Sequence, residues 1–320
     1  MIRSVGTIGR AGVLVFVAAL VAFTAESVCG QDAAPARVRV MSFNIWIGGE
    51  EGGQPLSQTA EVVRAANADI VGLQETHSRS SGDQPAVDNA AKLAEMLGWH
   101  FVNQGGRTAV ISRYPITGTT PNQWGVEVRL PSGQNVVLFN AHFPASPYQP
   151  YQLLKIPYGE GRFLETAEQA VEAARAARGE ALERMLVELK SVLPTTPVLV
   201  TGDFNEPSHL DWTPEVAMTG GCPLAVAWPT TIAVMELGLI DSFRAVHGNP
   251  IAAPGFTWTP LTEPSDPTDR HDRIDFVFHS SHLIAKRAER VGESSENADI
   301  VVAPYPSDHR AVVVEFEFAK

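Results

Sequence analysis

The sequence predicts a single α/β domain over residues 37–320, and three observations lead to it. Short β-rich runs alternate with helical ones, from Val38–Phe43 at one end to Ala311–Phe318 at the other. No repeat, low-complexity tract or long linker interrupts them. The final run is again β, so the chain closes on a strand instead of passing into a second domain. With 320 residues, 44% of them hydrophobic, the chain can bury a large core, and disordered or collagen-like classes are excluded.

Each element has a local cause. Val38–Phe43 alternates apolar and polar residues, as a strand does. Gln58–Ala66 is expected to be a helix, with Ala60, Val62, Val63 and Ala66 as its apolar positions, and Asp69–Leu73 a buried strand. A second short helix, Ala90–Leu97, is stopped by Gly98. Strands follow at Thr108–Ser112, Gly125–Leu130 and Asn135–Asn140, the last two joined by a turn at Pro131–Gly133. Residues 144–163 scatter Tyr148, Tyr151, Tyr158 and Phe163 among four prolines, which suits a loop and not a regular element. Leu182, Met185, Leu186 and Leu189 then mark the buried face of a long helix. It leads through Pro194 and Pro197 into the strand Val198–Thr201. Residues 206–270 are expected to be mostly loop, with one helix near Ile232–Leu237, before strands at Arg273–Phe278, near Ala285–Val291 and at Ala311–Phe318.

The first 30 residues form a separate expectation. Arg3 and Arg10 precede the apolar run Ala11–Phe23, and small residues follow up to Gly30. That order makes a secretory signal peptide, with cleavage after Gly30 and an exported product, periplasmic or extracellular; the run is short for a membrane span. Removing Arg3, Arg10 and Glu26 with the leader takes 24 basic and 36 acidic residues to 22 and 35, a net charge of −13. So acidic a chain gains nothing from its overall field in approaching nucleic acid, which is disfavoured as a partner. The cleaved chain keeps one cysteine, Cys222, and no internal disulfide; it is expected to work as a monomer with no stable membrane span.

The chemistry gathers in six short polar stretches at the ends of expected strands. They are Ser42–Asn44, Leu73–Glu75, Asn140–His142, Thr201–Asn205, Arg273–Asp275 and Ser307–His309. Asn44 and Glu75 offer hard oxygen ligands suited to Mg²⁺ or Mn²⁺, although singly they read as a turn cap and a surface carboxylate. Asp203 and Asn205 are two residues apart, so in an extended segment they share a side; an Asx turn is the plainer reading. Asp275 and His309 suit a carboxylate–imidazole pair.

In this order the stretches, with Ala109–Pro115, resemble the endonuclease/exonuclease/phosphatase superfamily from about residue 38 to 318. The resemblance implies a four-layer αββα sandwich of two packed, mainly antiparallel sheets flanked by helices. It implies a metal held at Asn44 and Glu75, with Asp308 as a second contact or a support. Asp203 and Asn205 would orient the attacking water and hydrogen-bond the phosphate, and Asp275 would pair with His309, acting as base or charged clamp. His142 would face the phosphate from the other side, stabilising it or protonating the leaving oxygen.

The activity expected is therefore hydrolysis of a phosphate ester, foremost a phosphodiester, by activated water with Mg²⁺ or Mn²⁺ as cofactor. The substrate expected is a small molecule or lipid head group. An endonuclease is the alternative within this chemistry. A binding module that kept the fold and lost turnover is the alternative outside it, but its expected signature, loss of Asn44, Glu75, Asp203 or His309, is missing. No Gly-x-Ser-x-Gly stretch supports a serine hydrolase.

Overall fold

A computed structural model describes residues 37–80, 85–159 and 161–319. The expected leader lies outside these residues. One sheet carries β1 (Arg37–Asn44), β2 (Ile70–Gln74), β3 (His100–Gly105), β4 (Thr108–Ser112), β11 (Leu283–Gly292), β12 (Ile300–Val301) and β13 (Ala311–Phe318). Its order is β12-β11-β13-β1-β2-β4-β3. The other carries β5 (Ile116–Thr119), β6 (Gly125–Arg129), β7 (Asn135–His142), β8 (Val198–Asp203), β9 (Ile240–Asp241) and β10 (Asp275–His279), in the order β5-β6-β7-β8-β10-β9. The pairs β1–β2, β7–β8 and β11–β12 are parallel and the other pairs antiparallel.

Alternation along the strands builds the layers. Val38 and Val40 of β1 face the same apolar layer as Leu138 of β7, Leu199 of β8 and Val277 of β10, which is the core between the sheets. Met41 and Phe43 point the other way, onto α1 (Leu56–Ala65) and α2 (Ala90–Leu97) through Val62, Val63 and Leu93. On the far side of the second sheet, Phe139, Val200 and Phe276 pack against α4 (Ala167–Val192) through Leu182, Met185, Leu186 and Leu189. Three apolar layers thus separate helix, sheet, sheet and helix, which is the αββα sandwich expected.

The same alternation leads from core to site. Continuing along the inward faces, Val40, Leu138 and Leu199 give way to Ser42, Asn140 and Thr201. The Asn140 Oδ1 accepts from Gln74 Nε2 at 2.6 Å and from Thr201 Oγ1 at 3.1 Å, while its Nδ2 donates to the Leu73 and Ala109 carbonyls. This buried polar layer is bonded internally apart from Gln74 Oε1, which has no partner, and only glycine fits beside it: a Cβ at Gly72 would lie 2.1 Å from Thr201 Oγ1.

The expectations for two segments are corrected. Within residues 144–163 one stretch is regular: α3 (Gln149–Leu154), started by a proline in its first turn and buried from Gln149 to Leu153, while residues 155–159 and 161–163 are irregular and mostly exposed, as a loop is. Residues 206–270 hold more structure than one helix: α5 (Pro214–Met218), α6 (Pro229–Glu236) and α7 (Ser242–Val246) besides β9. These helices have five to eight residues, too short for a periodic apolar stripe to show in sequence. β3, β5 and β12 were likewise not expected. Among the described residues no helix is long and apolar enough to cross a membrane.

Candidate active site

Strand register places the candidate residues. His142, Asp203 and Asp275 are direct neighbours across β7, β8 and β10. Asn44 ends β1 in the facing sheet, and Glu75 follows β2. Because β10 and β13 run opposite to β1, β2 and β8, the start of β10 and the residues just before β13 reach the same rim, bringing Asp275, Asp308 and His309 there.

The hydrogen bonds join both sheets. Asn44 Nδ2 donates to Asp203 Oδ2 at 2.9 Å, and Asn44 Oδ1 accepts from the Trp46 N–H at 3.0 Å. Asn205 does not continue the strand. Its φ is 49°, and its N–H donates to Asp203 Oδ1 at 2.9 Å, an Asx turn. The extended arrangement that would set the two side chains on one side is therefore absent. The turn brings them together instead, with Asn205 Nδ2 3.2 Å from Asp203 Oδ2. Glu75 also has positive φ, 57°, and its Oε2 accepts from the Ile47 N–H at 3.0 Å. Left-handed backbone at two such non-glycine residues is the kind of strain that gathers at working sites.

His309 sits between two carboxylates: Nδ1 is 2.9 Å from Asp275 Oδ2 and Nε2 is 3.7 Å from Asp203 Oδ2. Burial opposes its charge, but Asp275 and Asp203 outweigh burial and hold the imidazole well above its ordinary range. Burial pushes Asp275 up as well, with His309 pulling it back down. We place the shared proton on the imidazole, since the ring has an acidic neighbour at each nitrogen. Asp308 is pushed up to about 7 by burial, with His309 opposing and Glu75 adding to the rise. His142 Nε2 lies 3.6 Å from Asp203 Oδ2 and 3.8 Å from Glu75 Oε1.

Three atoms here are buried without a hydrogen-bond partner: Asp308 Oδ1, Asp275 Oδ1 and His142 Nε2. Unpaired carboxylate oxygens beside Glu75 fit a bound cation, which would satisfy them. Two groups of side chains have the chemistry for one. Ligand atoms of Asp203, Asp275 and His309 lie within 4.8 Å of one another. An ion there would have to displace the 2.9 Å His309–Asp275 bond. Glu75 and Asp308, with the second lone pair of the Asn44 oxygen, offer oxygen ligands without that loss, and we favour them.

A cleft of about 100 Å³ opens over Glu75, Asp203, Asn205, Asp308 and His309, and its other wall is aromatic: Tyr148, Tyr151, Tyr158 and Trp258. The Trp258 ring lies 4.9 Å from that of His309, and its Nε1 donates to Tyr151 Oη at 3.1 Å. Tyr148 donates to Asp272 at 2.9 Å, and Tyr151 to Asp269. Arg107, near Glu75 at 3.8 Å, went unnoticed in the sequence because nothing in its hairpin marks it. His271, just before β10, hydrogen-bonds Thr262 at 2.9 Å and does not line the cleft. Burial pushes the Cys222 thiol up to about 11, which suits packing and not nucleophilic attack.

The Endonuclease/Exonuclease/phosphatase family profile matches residues 41–309. The uncharacterized Caenorhabditis elegans protein F14F9.5 is 26% identical over 309 residues, 88% of this chain and 91% of that protein. Among solved structures, an endonuclease/exonuclease/phosphatase from Beutenbergia cavernae superposes with a TM-score of 0.57 at 22% identity, over 88% of this chain and 72% of that one. A family protein from Leptotrichia buccalis superposes at 0.53 and 16% identity, over 88% of this chain and 100% of that one. These two share the fold. The profile match spans most of the chain and both ends of the site, and members of the family are metal-dependent hydrolases acting on phosphate esters. The chain belongs to the endonuclease/exonuclease/phosphatase family.

Proposed function

We propose that the protein is an exported Mg²⁺- or Mn²⁺-dependent phosphodiesterase that acts on a small molecule or lipid head group. The observation that carries this reading is the convergence of Asn44, Glu75, His142, Asp203, Asn205, Asp275, Asp308 and His309 on one rim, with His309 held between two carboxylates. Asn44, Glu75 and Asp308 would hold the metal, which when bound draws charge from the phosphate oxygens. Asp203, fixed by Asn44 and the Asn205 turn, takes a proton from the attacking water. The water oxygen forms a bond to phosphorus as the ester P–O bond breaks, and the departing alkoxide takes its proton from solvent. His309 donates through Nε2, His142 through its unpartnered Nε2 and Asn205 through its amide, all to phosphate oxygens that gain charge in the transition state.

The walled cleft and the acidic charge favour a substrate smaller than duplex DNA. Export rests on the leader at residues 1–30. The test is an activity panel with Mg²⁺ or Mn²⁺: bis(p-nitrophenyl) phosphate, p-nitrophenyl phosphate, sphingomyelin and plasmid DNA. The proposal expects the diester to be hydrolysed faster than the monoester and plasmid to be poorly cut. Preferred nicking of plasmid would replace it with the endonuclease reading, and inertness on all four would return the protein to a binding role.

A further inference from the structure

The catalytic rim opens on a second space. A groove of about 520 Å³ runs from His142 away from the aromatic cleft, and Ala145 borders both. Gln104, Asn122, Gln123, Trp124 and Ala181 line it. Among the described residues its one lining guanidinium is Arg184, exposed at the edge and within 3.3 Å of the equally exposed Glu180, and no carboxylate lines it. It is therefore only weakly charged in a strongly acidic chain.

The turn that walls this groove is held from both sides. Glu188, buried on α4, accepts from Thr120 Oγ1 at 2.5 Å, from the Asn122 N–H at 2.5 Å and from Asn122 Nδ2 at 2.7 Å. From the opposite side Gln104 Nε2 donates to the Gln123 and Trp124 carbonyls, each at 3.0 Å. Gln104 Oε1 in turn accepts from Asn140 Nδ2 at 2.9 Å, which ties the turn to the polar layer under the site. This scaffold holds the backbone of the turn, while the Trp124 indole N–H, the Gln123 side-chain amide and the Asn122 Oδ1 have no protein partner among the described residues and lie on exposed or half-buried side chains that water can reach. A polar ligand group would have only water to displace to bond them, beside a backbone already held in place.

We propose that this groove is a substrate subsite, taking one arm of a phosphodiester whose phosphate lies at His142 and whose other arm lies in the aromatic cleft. The arm it takes is uncharged and carries hydroxyl, carbonyl or amide groups, such as a sugar or nucleoside. A polymeric strand would bring further phosphates, and among the described residues the groove offers a single exposed guanidinium, Arg184, to meet them. The proposal rests on the phosphoester reading above and adds which substituents are recognised, and where.

The test compares two nitrophenol-releasing diesters, methyl p-nitrophenyl phosphate and thymidine 5′-(p-nitrophenyl phosphate), under the same metal. The second, with its uncharged hydrogen-bonding arm, should have a kcat/KM about tenfold or more higher. Ala181→Trp, which fills the groove, should remove most of that ratio. Trp124→Phe keeps an aromatic ring, smaller than the indole, and deletes the N–H, and Gln123→Ala trims an exposed amide; each should lower the ratio about fivefold. Thermal melting shows that each variant is folded, and the two conservative changes decide the matter if Ala181→Trp is not. Equal rates on the two esters in the parent protein, or a ratio untouched in the folded variants, would overturn the subsite while leaving phosphoester hydrolysis intact. No hydrolysis of either ester, nor of any panel substrate, would overturn the phosphoester reading and the subsite with it.

Discussion

Asn44 and Asp203 meet across the two sheets, the amide of one donating to the carboxylate of the other at 2.9 Å. Asn44 is the last residue of β1 and Asp203 the last of β8, so the bond closes the sandwich where its apolar core ends. Without Asn44 the buried Asp203 Oδ2 keeps only the Asn205 amide, at 3.2 Å, as a neutral donor. Asn44→Ala should lower kcat by about 100-fold, the loss of one oriented donor in a low-dielectric site. Steady-state kinetics on bis(p-nitrophenyl) phosphate check this, and a rate within a few fold of the parent would show that Asp203 needs no such support.

Metal dependence follows from oxygen ligands with unmet valence. Excess chelator should abolish hydrolysis, and Mg²⁺ or Mn²⁺ should restore it. Glu75→Ala should lose most turnover while its circular dichroism stays that of the parent. Full activity in chelator would remove the metal from the mechanism.

In the proposed mechanism His309 and Asp203 act on one phosphate, so their losses should not add. Each alanine variant should cost several orders of magnitude in kcat, and the double variant little more than the worse single one. A double-mutant cycle measures it; clean additivity would mean that the two residues work separately.

Away from the site, His279 predicts a pH effect on stability. It is buried between Ser242, whose Oγ lies 2.8 Å from Nδ1, and the Phe316 ring, and burial pushes its pKa down to about 4. The unfolded chain therefore binds a proton that the folded chain refuses. The stability this confers is full above the ordinary imidazole value and is lost as pH falls from about 6.5 toward about 4. The loss amounts to at most about 3 kcal/mol. His279→Asn should flatten that limb, as read from denaturant midpoints between neutral pH and pH 4.5. Parallel curves for the two proteins would count against a neutral buried His279.

The aromatic wall should read out in substrate affinity. Tyr158 is exposed and meets Tyr151 edge-on at 5.5 Å over the cleft. Replacing residues 144–163 by a flexible bridge would strip out the buried Tyr148 and Tyr151, so Tyr158→Ala is the cleaner probe. It should raise KM for bis(p-nitrophenyl) phosphate about two- to tenfold without changing the melting temperature, the range of one aromatic contact. An unchanged KM would show that the Tyr158 ring makes no contact with the substrate.

The sequence by itself determined the long, periodic elements and the identity of the polar residues at their ends. Val38–Phe43, Val198–Thr201 and the Leu182–Leu189 face were legible because alternation and helical spacing are local signals that tertiary packing only confirms. Asn44, Glu75, His142, Asp203, Asn205, Asp275, Asp308 and His309 could be singled out because each sits at or next to the end of such an element and the stretches follow the order of the family they resemble. Only the tertiary structure decided how they meet. The Asx turn at Asp203 and Asn205 is local and was open to the sequence, but the Asn44–Asp203 bond depends on two sheets packing face to face, and the placing of Trp258 against His309 on residues far apart in the chain meeting. The groove beside His142 depends on Glu188, which lies 66 residues along the chain from the Asn122 it holds. Such contacts are set by the geometry of packed layers, between residues whose separation along the chain carries no periodic trace of their meeting.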